Sequence, residues 1–529
     1  IAATARTGRD LMTGTVSTVP KQPRQRELSD LSQRIDSRLG LTAILILAIA
    51  ARAWNLFGYP AFSDDEGTYM AQAWAVQNGL GMAHYTYIYD HPPLGWIQIS
   101  ALSWIPTLVS PTLPAVAAGR VVMLVFAALS IVLLHGVARR LGFSRWAALV
   151  ATALFSFSPL AIALHRQVFL DNVAVTWILA AFFLALSPRR HLWIQGMAGV
   201  TAAGAVLSKE TVILTVPAVA YALWQNSHPN TRDFAMIGFV CGFVTTALFF
   251  PLFALLKGEL LWRDHDRVSM LEMLAYQLFE RKGSGSLLDP GSDAYQILVG
   301  WSLQDTVILI AGAVSVIVGL VIAHLRAAAL AVLIPMLVVL ARPSGYLPGM
   351  LVVQLLPFFA LTIVGVVVVL AERVRVAARA KRLCWLLAAA SAAAFVTLLL
   401  VVPHWRDGNQ RNWTASTNDS YVQTVSWFKR QGGISERRIL TDDTVWLDLV
   451  KLGYDPKRQI LWHYKVDLDR EVHQQLANGW RDIDYIVSTP TVRRTAPDLP
   501  TVAAALQNSR VVATFGNGDD RVEIRKVTR

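Results

Sequence analysis

The chain has 529 residues, of which 54% are hydrophobic and only 16% charged, and its mean hydropathy is +0.43. A soluble protein of this length is not so apolar, and the apolar residues gather in stretches of about 17 to 25, the length that crosses a hydrocarbon core. The net charge of +12 lies mostly in short arginine clusters between those stretches, the pattern of cytoplasmic loops and not of a nucleic-acid-binding face.

Residues 1–38 are polar and basic with no apolar core, which reads as a flexible cytoplasmic tail and not a cleaved signal peptide. A first span over 41–57 leads outward. The loop that follows, 58–117, is polar and aromatic at its start, and its segment 94–109 is apolar but short, interrupted by Gln98, Ser100, Ser103 and Pro106. If 94–109 lies along the interface as an amphipathic helix, later spans fall near 121–137, 146–164, 172–186, 192–207, 212–224, 234–256, 302–323, 327–340, 347–370 and 383–402. The even-numbered loops then hold twelve basic residues, from Arg139, Arg140 and Arg145 to Arg379, Lys381 and Arg382, against three at the short turns opposite. Letting 94–109 cross would put all twelve outside, against the orientation rule. The expectation is therefore a polytopic α-helical membrane protein of about eleven spans, with the N-terminus cytoplasmic and the C-terminus outside.

Two cysteines, Cys241 and Cys384, sit in or beside apolar segments, so no disulfide is expected. From residue 404 the composition turns soluble. Strands are predicted at 438–441, 460–463, 485–488, 511–515 and 522–525, alternating with helices such as 421–430, 445–452 and 470–478. This is a small extracytoplasmic α/β domain, 404–529.

On this threading Asp64, Asp65, Glu66, Asp90, His91, Arg166, Asp171, Lys209, Glu210, Arg342 and the loop 257–300 all fall at the outer face. Ionisable groups near membrane depth are costly, so a one-sided collection marks a functional site. Each has a plainer reading. Asp64, Asp65 and Glu66 could serve only as acids in the first turn of a capped helix. Pro92 and Pro93 after Asp90 and His91 suit any rigid helix start. Arg342 could be a snorkelling interfacial arginine, Arg166 and Asp171 helix-end charges, and Lys209 and Glu210 a local pair. The loop 257–300, with Trp262, Tyr276 and the Gly283 to Ser286 stretch, suits either a lid or a plain mobile loop.

Asp65-Glu66 followed by Tyr69 just past the first span, and His91-Pro-Pro-Leu-Gly95 some two dozen residues later, together resemble the protein O-mannosyltransferases and the lipid A aminoarabinose transferases. Arg166 with Leu170 and Asp171, and the Leu207-Ser-Lys209 turn, are similar to two further motifs of these enzymes. The resemblance covers roughly 41–400. It implies a GT-C fold over 39–403 and transfer of a sugar from a polyprenyl-phosphate carrier, with inversion.

Carried over residue by residue, Asp65 matches the aspartate that activates the acceptor hydroxyl, with Asp64 as its rival and Glu66 as its neighbour. His91 stands where the aminoarabinose transferases have Lys, and Thr68 where they have Arg, which argues against aminoarabinose as the sugar. The chemistry of the residues agrees. Displacing a polyprenyl phosphate from an anomeric carbon needs a base for the attacking hydroxyl and cations for the leaving phosphate. Arg342, Lys209, Arg166 and His91 are the candidate cations, and Tyr346 can donate a hydrogen bond. Tyr69, Asp90, Asp171 and Glu210 are expected beside the acceptor or behind these groups.

A divalent metal could sit at Asp64 to Glu66, although the resembled enzymes need none for the leaving group. The expected partners are a lipid-linked sugar, a hydroxyl acceptor on protein, glycan or lipid, and the bilayer of the plasma (inner) membrane. The competing classes are a transporter of a lipid-linked substrate and a non-catalytic protein of the same fold. Clustering of charge at one face, away from the midplane, and the lack of a repeat among the spans disfavour transport.

Overall fold

The computed structural model describes residues 23–261, 268–341, 345–377, 401–431 and 437–529. The first helix, α1 (Pro23–Ala53), begins inside the polar segment expected to be flexible. Pro23 opens it, where a missing N–H costs nothing, and no further proline interrupts the run into the apolar stretch. Residues 1–22 lie outside the described residues.

After α1 the chain enters α2 (Asp64–Gln77) and α3 (Leu94–Ala101), the latter followed by a 3-10 turn over Ile105–Leu108. Eight residues of helix span about 12 Å, far short of the length a crossing needs. Next come α4 (Ala115–Arg140), α5 (Arg145–Phe157), α6 (Pro159–Arg166), α7 (Leu170–Ala185) and α8 (Leu192–Ser208). They are followed by α9 (Val216–Asn226), α10 (Arg232–Ala247), α11 (Phe249–Leu256), α12 (Met270–Ala275), α13 (Asp293–Gly319), α14 (Arg326–Ala341) and α15 (Leu351–Ala377).

Four of the described helical runs are long and apolar enough to cross a membrane, and a fifth crossing results if α5 and α6, bent by 61°, form one span. The bend has a local cause. Pro159 cannot donate to the preceding turn, and the Ser158 hydroxyl caps the new helix by accepting from the Ala161 amide at 3.3 Å. A second break lies in α13 at Asp305 (φ −156°, ψ 79°), whose carboxylate accepts from the Ile308 amide (3.0 Å), the Ser158 hydroxyl (2.6 Å) and the Trp405 indole (3.0 Å). The shorter apolar helices α7, α8 and α14 match the predicted segments 172–186, 192–207 and 327–340, whereas the segment predicted over 212–224 is split between a 3-10 turn, Glu210–Thr215, and α9, and that predicted over 41–57 falls in α1, which ends at Ala53. The predicted span 383–402 lies almost wholly outside the described residues.

A helix over 401–414 (α16) leads to α17 (Asp419–Arg430) and the C-terminal domain. Its strands are β1 (Ile439–Thr441), β2 (Ile460–Trp462), β3 (Tyr485–Ser488), β4 (Ser509–Phe515) and β5 (Val522–Val527), in the order β2-β1-β3-β5-β4. β1, β2 and β3 run parallel, while β5 and β4 add an antiparallel edge. The connections carry α18 (Asp443–Lys451), α19 (Lys465–Leu468), α20 (Arg470–Gln474), α21 (Pro490–Thr495) and α22 (Pro500–Gln507).

The apolar interior divides into two main clusters. One lies among the membrane helices, from Ala48 and Phe155 to Phe358 and Leu361. The other joins Tyr69, Met70, Tyr85, Tyr89 and Trp96 of the first long loop to Leu440, Trp446, Leu461 and Ile486 of the C-terminal domain. The loop between α1 and α4 thus shares its core with the end of the chain.

Candidate active site

Successive residues on a helix point about 100° apart, and the three acids that open α2 consequently face three different surroundings. Asp65 faces a cavity of about 470 Å³. Asp64 turns toward the C-terminal domain, where burial raises its carboxyl above the ordinary range, the Thr491 hydroxyl opposes that and Asp65 adds to it. Glu66 turns inward and is wholly buried.

Both oxygens of Glu66 are fully used. Arg120 Nε donates to Oε1 (2.8 Å) and Nη2 to Oε2 (2.7 Å), while the Val168 and Ser63 amides donate at 2.9 and 3.1 Å. Glu66 is a structural group that ties the start of α2 to α4 and to the turn before α7. A buried bidentate pair of this kind is strongly destabilised when either partner is removed.

Across the cavity from α2, His91 and the turn after α8 form one network. His91 Nδ1 lies 2.9 Å from a Glu210 carboxylate oxygen, and Lys209 Nζ lies 3.0 Å from His91 Nε2. With the Lys209 ammonium donating to His91 Nε2, the ring carries its proton on Nδ1 and donates it in a hydrogen bond to the Glu210 carboxylate. Burial works against the charged carboxylate, yet His91 and Lys209 outweigh it and hold Glu210 down to about 2. Glu210 opens onto the cavity, with 42% of its side chain exposed, whereas Lys209 is 4% exposed. Tyr69 packs against the His91 ring with centroids 5.9 Å apart, and the Tyr87 hydroxyl donates to the His91 carbonyl and fixes its backbone.

The opposite wall comes from the segment after α11. Met270, Met273, Leu274, Gln277, Leu278 and Arg281 line the cavity, with Phe250 and Val338 extending its apolar surface. Arg281 lies over the Tyr346 ring, 3.6 Å from its centroid, and donates to Gln277 at 2.8 Å. The Gly283 to Ser286 stretch is pinned: the Ser284 amide donates to the Gly345 carbonyl (3.2 Å) and the Ser284 hydroxyl accepts from the Leu347 amide (2.9 Å). Residues 270–281 of the 257–300 segment thus form a wall of the cavity.

The cavity brings together Asp65, Asp90, His91, Lys209, Glu210 and Tyr346. Asp171 stands behind it, buried and accepting from Gln354 at 2.7 Å. Arg166 is elsewhere and has another task. Its guanidinium donates to five carbonyl oxygens, those of Ala51, Arg52, Trp54, Tyr59 and Asn412. Four of these belong to the end of α1 and the turn after it, so Arg166 caps the negative end of that helix. Arg342 lies outside the described residues. Arg281 and Gln277 went unnoticed in the sequence; the signal was a basic residue closing an apolar, aromatic stretch from Met270 to Phe279. Among the described residues, no three His, Cys, Asp or Glu side chains are grouped to hold a metal ion.

With that geometry in place, the fold can be assigned. It is the GT-C fold of membrane glycosyltransferases. The crystal structure of ArnT from Cupriavidus metallidurans bound to undecaprenyl phosphate superposes with a TM-score of 0.51 at 14% identity, covering 92% of this chain and 97% of that one. The Archaeoglobus fulgidus oligosaccharyltransferase in its apo form gives 0.52 at 12% identity, covering 88% and 72%. The oligosaccharyltransferase AglB from Archaeoglobus fulgidus, in complex with an inhibitory peptide and a dolichol-phosphate, gives 0.52 at 11%, covering 91% and 74%. Residues 90–254 match the family model of the dolichyl-phosphate-mannose-protein mannosyltransferases. That match begins at Asp90 and takes in His91, Lys209 and Glu210. No curated protein sequence matches the chain.

Proposed function

We propose that the protein transfers a sugar from a polyprenyl-phosphate donor to a hydroxyl acceptor at the outer face of the plasma membrane, with inversion at the anomeric carbon. One observation carries the reading: a single cavity presents a carboxylate, Asp65, together with the cations Lys209 and Arg281 and a long apolar wall. A prenyl chain would lie along Phe250, Met273, Leu274 and Val338, leaving its phosphate at the polar end.

In the reaction Asp65 takes the proton of the acceptor hydroxyl as that oxygen bonds to the anomeric carbon. The bond from the anomeric carbon to the phosphate oxygen breaks, and its electron pair leaves on the polyprenyl phosphate. Lys209, Arg281 and the His91 ring stabilise the charge that develops there, and Glu210 keeps the His91–Lys209 pair in register. Tyr346, with Arg281 stacked on its ring, supplies a hydroxyl to the same end of the cavity. The carriers bound by ArnT and AglB, undecaprenyl phosphate and dolichol-phosphate, support a lipid-linked donor. The arginine-rich loops opposite Asp65 support an outer-face site, with the N-terminus cytoplasmic and the C-terminal domain outside.

Purified protein offered a panel of polyprenyl-phosphate sugars should consume one of them, and Asp65→Asn should bind the carrier without turnover. If no donor is consumed and both proteins bind carriers alike, the transferase reading falls and transport of a lipid-linked substrate takes its place.

A further inference from the structure

The C-terminal domain has its own natural ligand crevice. In open parallel sheets that crevice lies beyond the carboxyl ends of the strands, where neighbouring connections diverge to opposite sides. Here β1 has β2 on one side and β3 on the other, so the divergence falls at the 441–444 turn. What fills the crevice is α2. A Cβ placed on Gly67 would lie 2.3 Å from the Asp443 carbonyl carbon and oxygen and 2.5 Å from the Thr444 amide. Only glycine admits so close a backbone approach. One residue on, the Thr68 hydroxyl bonds the Asp443 carboxyl and also lies 3.1 Å from the Asp64 carbonyl.

The contact continues on both sides of α2. Trp74 packs edge-on against Trp446, the Tyr85 hydroxyl donates to the Ile460 carbonyl (2.6 Å), and Lys465 donates to the Thr86 carbonyl (3.1 Å). Asp448 accepts from the Ala115 amide at 2.8 Å, at the start of α4. Asp65 sits between the Asp64 and Thr68 contacts on the same two turns of helix.

We propose that the C-terminal domain is the element that positions Asp65, with Asp443 as the positioning residue acting through Thr68. The proposal rests on the transferase reading for its kinetic readout alone. Thr68 has one hydroxyl proton and two acceptors within reach. When it donates to the Asp64 carbonyl, the Asp443 carboxyl must supply the proton for the second bond. Burial, and after it the Asp64 carboxylate, raises Asp443 well above the ordinary range, so that carboxyl is held in the donating form. The groups facing it are Asp64 and Asp65 on α2, Asp442 in its own turn, and Tyr85 and Tyr464. No cation is among them, and the Thr68 hydrogen bond, which opposes the rise, ranks below burial and Asp64.

The test uses the full chain with Asp443→Asn, Asp443→Ala and Thr68→Val. Asn keeps a donor toward Thr68 in the same shape, whereas Ala and Val remove one end of the bond. Displacing a catalytic group by about 1 Å costs roughly 100-fold in rate. The Ala and Val variants should therefore lose roughly 10- to 100-fold in kcat at unchanged carrier KM, and hydrogen exchange of amides 64–77 should rise. Asp443→Asn should match wild type in both readouts, and where the wild-type rate is expected to fall as rising pH ionises Asp443, the Asn variant should show no such fall. Folded Ala and Val variants with wild-type exchange over 64–77 would overturn the proposal, as would an Asn variant as impaired as Ala. Should Asp443→Ala fail to fold, Thr68→Val decides, since it removes one exposed-to-contact hydroxyl and no charge. A wild type inactive on every donor would sink the transferase reading, and the exchange measurement would still judge this one.

Discussion

The two sides of α2 use carboxylates in opposite ways. On the cavity side Glu210 lies within reach of Lys209 and His91 and is held ionised, at about 2. On the domain side Asp64, Asp442 and Asp443 face one another with little cationic help. Burial, followed by the Asp64 carboxylate, pushes Asp442 up to about 7. The same chemical group, a carboxyl, becomes an ionic group or a neutral hydrogen-bonding group according to whether a cation is buried beside it. The first two turns of α2 thus separate a charged site from a site that works as uncharged acid.

The largest test of this contrast is Asp65→Asn. Removing the carboxylate from the cavity should lower turnover roughly 100- to 10,000-fold, the range for a general base, with carrier binding kept. Next comes the buried pair beneath both sides: Arg120→Met leaves Glu66 without its cation and should cost about 3–5 kcal/mol, read as a lower unfolding midpoint. Lys209→Ala and Arg281→Ala should each reduce kcat/KM by about 100-fold, the scale for one preorganised donor at a developing anion. An equal loss in both would place the phosphate between them, and a loss in one alone would assign it to that wall.

The smallest effect concerns pH. A carboxyl raised in the folded state contributes stability that is fully present below its unfolded value of about 4 and is lost as pH rises through the folded value, about 7 for Asp442. Asp442→Asn should therefore raise Tm at pH 8 by about 2–4 °C for each kcal/mol regained and leave it unchanged at pH 4. Glu210 has the opposite sign: its contribution is present above about 4.3 and lost only as pH falls through about 2. A Tm that responds to Asp442→Asn equally at both pH values would break the contrast.

The order of the apolar helices was legible in the sequence because hydropathy is a local property that every span must satisfy by itself. The strands were legible for a similar reason, β1 to β3 as short apolar runs and β4 and β5 by their β-branched residues between turns. Roles of individual charges were not. Arg166 and Lys209 look alike along the chain, yet one caps the end of α1 and the other faces the cavity, a difference set by which carbonyls lie nearby. Glu66 stood beside Asp65 in the sequence and was grouped with it, although helix geometry turns it toward Arg120. The seat of α2 on Asp443 left no trace at all, since Thr68 and Asp443 are 375 residues apart and neither belongs to a local pattern that anticipates the other.

That separation also sets a clock. At about 5–20 residues per second of synthesis, the helix bearing Asp65 leaves the ribosome roughly 20–75 s before the turn that seats it. Throughout that interval the nascent chain holds the acid without its support. A complete site is therefore a property of the finished polypeptide, and a chain released early would insert its membrane helices yet have nothing to hold Asp65 in place.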